Sequence, residues 1–223
     1  MSKTYSVPAL THLATPSSGQ GPGVLVIHAW WGLNEFFRSV CDRLAAVGFV
    51  AAAPDLFEGR LATTPEDAKR LRSAPKREPT YKTLLRAIEE LQANPATVGP
   101  RIGVLGFSMG GHWALWLAQQ PGLPIGATVT YYGARSGDFG HSSGPCLGHF
   151  AQTDEWVSAA SRTKLKKSLE AAGRVATFHV YPGTNHWFSE PDRPDVYNPQ
   201  AAELAWERTV EFLRLNLIER ELA

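Results

Sequence analysis

Short, wholly apolar runs alternate with amphipathic stretches along this chain, and that alternation constrains the fold more than any other feature. After the loop PSSGQGPG at residues 16–23, the sequence turns sharply apolar in Val24, Leu25, Val26 and Ile27. A β-branched run this short, bounded by glycine and proline, reads as a buried strand. Asn34 then stands where a helix N-cap is needed. Phe37, Val40, Cys41, Leu44 and Val47 follow at three- and four-residue steps until Gly48. A second apolar run, residues 49–53, comes next. A strand buried on both faces has no polar side to alternate with, so strand, helix and strand of this kind predict a parallel sheet covered by helices on both sides.

The pattern then repeats. Strands are expected at 102–105, 127–131, 145–151 and 175–181, and helices at 112–119, 158–172 and 199–218. Between residues 56 and 79 the composition shifts to charged residues with Pro65, Pro75 and Pro79. This predicts a short helix and loops over the edge of the sheet, a small flap beside the site and too short to be a domain. A chain of 223 residues with 43% hydrophobic content can bury one core. The expectation is one α/β domain over residues 1–223, with no large cap inserted.

Charge excludes some functions. The 22 basic and 21 acidic residues leave a net charge of +1 and are scattered, so nothing marks a surface for nucleic acid or an acidic membrane. The basic cluster Lys164, Lys166 and Lys167 reads as a solvated helix face. The two cysteines, Cys41 and Cys146, are far apart and lack metal-ligand spacing, so neither a disulfide nor a zinc site is expected. No run reaches the roughly 18 apolar residues of a membrane span, and the first twenty residues lack the apolar core of a secretory signal. A cytoplasmic protein is expected.

The chemistry is carried by RIGVLGFSMGGHWALWLA, which sets Ser108 between Gly106 and Gly110, directly after a strand and directly before a helix. The five-letter pattern GFSMG is weak by itself. Its setting matters more, because a tight strand-to-helix turn excludes neighbouring Cβ atoms, strains the serine and pushes its Oγ outward. The plainer alternative is a tight turn with a capping serine. The helix N-terminus behind the serine favours the anion formed when a carbonyl is attacked, and Met109 N–H is the expected first donor. The second should come from the loop after the first central strand, at Trp30 N–H.

A serine hydroxyl needs a general base, usually a histidine held by a carboxylate, and where such a serine turn follows a strand of a parallel sheet the expected chain order is serine, acid, histidine. Asp154, in the loop after the strand at 145–151, is the preferred acid, with Glu155 as the alternative and an ordinary helix cap as the plainer reading. His186 follows the strand at 175–181 in a glycine-containing loop and is the candidate base. His12, His141, His149 and His179 fit that order badly. His28 and His112 lie near the site as structural or pocket-lining residues.

At this point VIHAWWGLNEFFRSVCDRLAAVGFVAAAPDLFEG, GFSMGG, TDEW and GTNHWF together resemble the dienelactone hydrolase family over nearly the whole chain. The resemblance implies a capless α/β hydrolase acting on small esters or lactones. It places the nucleophile at Ser108, the acid at Asp154, the base at His186 and the oxyanion donors on the backbones of Trp30 and Met109, with no metal or organic cofactor. Three departures stand out. Ser108 replaces the cysteine of the dienelactone-opening members, and Ala29 replaces a glutamate that helps to form their thiolate. The pair is coherent, since a nearby carboxylate can poise a thiol, whereas a serine must pass its proton to histidine during attack. The arginine that follows the histidine in members binding a dienelactone carboxylate is also missing from Phe188, Ser189 and Glu190, so an anionic lactone is expected to meet Glu190 and neutral esters to be preferred. Trp31, Trp187 and Phe188 are candidate pocket walls. A thioesterase or peptidase would use the same triad, and a non-catalytic binding protein could keep the fold. A monomer or small homo-oligomer is expected.

Overall fold

The computed structural model describes residues 9–76 and 78–218. Among them are seven strands, β1 (Leu10–Ala14), β2 (Gly21–Ile27), β3 (Val50–Pro54), β4 (Thr97–Phe107), β5 (Ile125–Tyr131), β6 (Cys146–Ala151) and β7 (Ala176–Tyr181). The six helices are α1 (Glu35–Ala46), α2 (Pro65–Ser73), α3 (Thr80–Gln92), α4 (Met109–Ala118), α5 (Ala159–Ala171) and α6 (Pro199–Leu217). The strands form one sheet in the order β1-β3-β2-β4-β5-β6-β7. Every pairing is parallel except that of β1 with β3.

The apolar runs work as expected of strands buried on both faces. Successive side chains of a strand point to opposite sides. Val24 and Val26 therefore join the cluster that includes Phe37 and Leu44 of α1 and Leu213 of α6, while Leu25 and Ile27 join Leu84 and Leu91 of α3 and Leu117 of α4. Helix α5 packs through Leu165 and Leu169 into a third cluster with Leu115 of α4 and Phe150 of β6. No large cap interrupts this single domain, and no helix of the described residues is long and apolar enough to cross a membrane.

Two elements escape the sequence reading. Strand β1 is an edge strand whose Leu13 is exposed, so it has no continuous apolar run to announce it. Helix α3 has the right period in Leu84, Ile88 and Leu91, yet its N-cap position holds Pro79, which gives no side-chain cap. Helix α4 starts at Met109, not at residue 112, because the turn passes into helix immediately after Ser108. The charged segment at 56–79 does hold a short helix, α2, capped by Thr64 with Pro65 in its first turn. The loop before it is tied to Trp31, whose carbonyl accepts from Ala62 N–H at 2.9 Å.

Six parallel strands bring their carboxyl ends to one edge. The chain runs from β2 to β3 on one side and then to β4 on the other. Such a switch point opens a crevice at that edge, and Ser108 stands on it.

Candidate active site

Ser108 has φ 51° and ψ −110°, a backbone conformation that costs a non-glycine residue about 1–3 kcal/mol. The flanking glycines make the turn possible. A Cβ on Gly106 would lie 2.1 Å from the Gly110 carbonyl oxygen, and one on Gly110 would lie 2.1 Å from that of Ile27. No other residue fits either place. The second contact presses the start of α4 onto the end of β2, so the segments carrying Met109 and Trp30 converge. Met109 opens α4, where backbone N–H groups have no partner within the helix. Ser108 N–H is held by the Tyr131 carbonyl at the end of β5, at 2.8 Å.

Three sequence-predicted side chains meet here. Ser108 Oγ lies 2.8 Å from His186 Nε2, and His186 Nδ1 lies 2.8 Å from Asp154 Oδ2. In the tautomer this geometry favours, Nδ1–H donates to the carboxylate and Nε2 accepts from the serine hydroxyl. The imidazole and the carboxylate are almost wholly buried, with 4% and 1% of their side-chain surface exposed. Asp154 is fixed by its own turn, since Oδ1 accepts from Trp156 N–H and Val157 N–H, both at 2.8 Å. Glu155 points into solvent. The helix that follows is capped by Ser158, whose hydroxyl accepts from Ser161 N–H, so capping α5 is not the task of Asp154.

The other nearby histidines have structural partners. His28 is fully buried, its Nδ1–H donating to the Ala29 carbonyl at 2.6 Å and its Nε2 accepting from Leu56 N–H at 3.0 Å. Burial lowers it to about 4 against weaker opposing influences from Ala29 and Asp55, so it is neutral and ties the end of β2 to the segment after β3. His112 is lowered by burial and by the Arg135 cation, which donates to its Nε2 at 2.6 Å. His149 is buried away from Ser108, bonded to Tyr181 and Thr209.

The pocket expectations need correction. Phe188 is fully buried and packs on Tyr132 and Tyr181, so it belongs to the core and walls no pocket. Trp31 is only 2% exposed beneath the Arg193 guanidinium, 3.6 Å from its ring, and serves as backing. Trp187 is partly exposed and meets His186 edge-on at 4.8 Å. The residue missed is Trp156. It is 47% exposed, 5.0 Å from Trp30 and 6.4 Å from the His186 ring. A large aromatic two residues beyond the candidate acid was the available signal. Glu190 is also misplaced by the sequence reading, since it is fully buried with its Oε1 taking the Tyr132 hydroxyl at 2.7 Å. An incoming anion would not meet it.

A mostly parallel sheet with a strained serine after a central strand, and with an acid and a histidine at the ends of later strands, defines an α/β hydrolase. The chain belongs to the dienelactone hydrolase family, which it matches over residues 10–217. It is 34% identical to the protein named usf of Aquifex pyrophilus, covering 91% of each chain. It is 32% identical to a protein of Aquifex aeolicus provisionally named carboxymethylenebutenolidase, covering 92% of this chain and 93% of the relative. A crystal structure titled as a provisional dienelactone hydrolase from Klebsiella pneumoniae superposes with a TM-score of 0.75 at 25% identity, covering 88% of each chain.

Proposed function

We propose that this protein hydrolyses small carboxylic esters or lactones through an acyl-serine intermediate. The observation that carries this reading is the unbroken line Ser108 Oγ, His186 Nε2, His186 Nδ1, Asp154 Oδ2, with both hydrogen bonds at 2.8 Å. Ser108 Oγ attacks the carbonyl carbon as its proton passes to Nε2. The resulting oxyanion takes the backbone N–H groups of Trp30 and Met109. Asp154 stabilises the imidazolium and keeps the ring in its tautomer. Collapse breaks the C–O bond, and the leaving alkoxide takes the proton from Nε2. In a lactone that alkoxide stays tethered to the acyl group. Water gives a proton to His186 Nε2 as it attacks the acyl-serine carbonyl; the bond to Ser108 Oγ then breaks, Oγ takes that proton back from Nε2, and the acid is released.

Serine suits this site because the base contacts it directly and Ala29 puts no carboxylate beside it. A preference for neutral substrates no longer rests on Glu190. Its remaining support is that Arg193, the cation in the loop after His186, is engaged with the Trp31 face and the Thr63 carbonyl. Trp30, Trp156 and Trp187 supply an aromatic wall for the acyl or alcohol part.

The test is a fluorophosphonate probe followed by peptide mass spectrometry, together with a p-nitrophenyl acetate burst. Stoichiometric labelling of Ser108 and a burst near one equivalent are expected. An unlabelled Ser108 in folded protein sinks the reading. A parallel comparison of neutral esters with a dienelactone reads the charge preference.

A further inference from the structure

Glu190 is a fully buried carboxyl to which the mechanism above gives no part. Its surroundings tie it to that mechanism all the same. Tyr132 stands at the end of β5 with φ 39°, another left-handed residue at this edge, and its N–H is held by the His149 carbonyl at 2.7 Å. Its hydroxyl donates to Glu190 Oε1 at 2.7 Å and bonds Ser189 Oγ at 2.9 Å. Its ring lies 4.9 Å from the His186 ring and 5.5 Å from Phe188. The loop is wound to allow this. Phe188 N–H bonds the Asn185 carbonyl, Glu190 N–H bonds the Trp187 carbonyl, and Trp187 has φ 67°. His186 and Glu190 are thereby brought onto the same tyrosine. The residue before that tyrosine, Tyr131, holds Ser108 N–H.

We propose that Tyr132 and Glu190 are positioning residues: the Tyr132 hydroxyl, tied to Glu190 and Ser189, locks the histidine loop to the corner that also fixes the Ser108 backbone. The proposal rests on His186 acting as the base. Nucleophile and base would then take their separation from one dipeptide, Tyr131-Tyr132, instead of from two independent loops. A misplacement of about 1 Å in such a pair can cost on the order of a hundredfold in rate.

The corner has a charge state as well as a shape. Tyr132, Ser189, Trp31, Asp192 and Arg193 surround the Glu190 carboxyl, and Oε2 has no hydrogen-bond partner. Among the described residues no cation forms an ion pair with it, Arg193 being paired with Asp192 at 3.7 Å. Burial raises Glu190 to about 8, helped by Asp192 and opposed by the Tyr132 hydroxyl, Arg193 and Trp31. Below that pH the carboxyl holds its proton and the corner is neutral. Above it, an unpaired buried charge draws water or loop movement into the tyrosine's support.

The experiment compares wild type with Tyr132→Phe, Glu190→Ala, Glu190→Gln and the Tyr132→Phe/Glu190→Ala double variant, each checked for folding by near-UV circular dichroism. Tyr132→Phe is expected to lower kcat about tenfold with KM changed less than about twofold. Glu190→Ala should lose a similar factor and the double variant no more, whereas Glu190→Gln, which keeps an acceptor for the tyrosine, should recover most of it. Wild-type kcat should fall on the alkaline side near pH 8, and Glu190→Gln should lack that limb. The low-field proton resonance of His186 Nδ1–H, read without turnover, should broaden in Tyr132→Phe. A Tyr132→Phe protein with lower Tm but unchanged kcat and an unchanged resonance overturns the proposal, as does a Glu190→Gln profile identical to wild type. An unlabelled wild-type Ser108 would defeat the hydrolase reading instead, leaving the resonance to judge the positioning.

Discussion

Two turns at one edge of the sheet each carry a carboxyl, one bonded to His186 directly and the other to Tyr132, whose ring lies against His186, and the two are supported differently. The Asp154 turn gives its carboxylate three N–H donors, two from its own backbone and one from His186. Glu190 takes one hydroxyl donor, from the distant Tyr132, with the Trp31 indole beside it, and its Oε2 has no partner in bonding geometry. Burial then wins and the proton stays on to about pH 8. What differs between the two turns is how many hydrogen-bond donors reach each carboxyl.

The largest test of that contrast removes the charge from the first turn. Asp154→Asn should lower kcat by about 10⁴-fold with the fold intact, because the amide favours the wrong tautomer of His186. Steady-state kinetics with unchanged circular dichroism would check it, and a loss below about tenfold would mean that the carboxylate only packs.

The second turn should speak through stability. A carboxyl raised in the folded state contributes stability that is fully present below its unfolded value, near 4.5, and is lost as pH rises through about 8. Wild type should therefore lose on the order of 3 kcal/mol of this contribution between pH 5 and pH 8, while Glu190→Gln loses none of it. Urea midpoints for the two proteins across that range would show converging or crossing curves. Parallel curves would mean that Glu190 is charged when buried.

Smaller effects sharpen the first turn. Ser158→Ala removes the cap of α5 and should cost about 1 kcal/mol without changing kcat, since Asp154 is held by other groups. Glu155→Ala should change activity by less than about twofold, Glu155 being exposed and outside the hydrogen-bonded line. A large loss there would reverse the assignment of the acid.

Much of this was legible in the chain before it was folded. The run Val24 to Ile27 could only be a strand covered on both sides, since it offers no polar face to water. Gly106 and Gly110 around Ser108 announced a turn that no side chain would permit, and the order Ser108, Asp154, His186 followed from the strands between them. The edge strand β1 stayed hidden because an edge needs no apolar run, and α3 because nothing in its sequence caps it.

Placement of the aromatic residues was beyond local reading. Phe188, Trp31, Trp187 and Trp156 are all large apolar side chains in loops, and their local sequence does not say which is covered. Tyr132 closes over Phe188, Arg193 lies across Trp31, and Trp156 is left open. The charge on Glu190 was decided in the same way. Its sequence neighbours suggest a solvent-facing acid, but the tyrosine that donates to it stands just after β5, 58 residues earlier in the chain. The sequence by itself singled out Ser108, Asp154 and His186 as candidates and set their order along the chain. Only the tertiary structure decided which of them are dry, because burial is a property of what distant segments place on top of a residue.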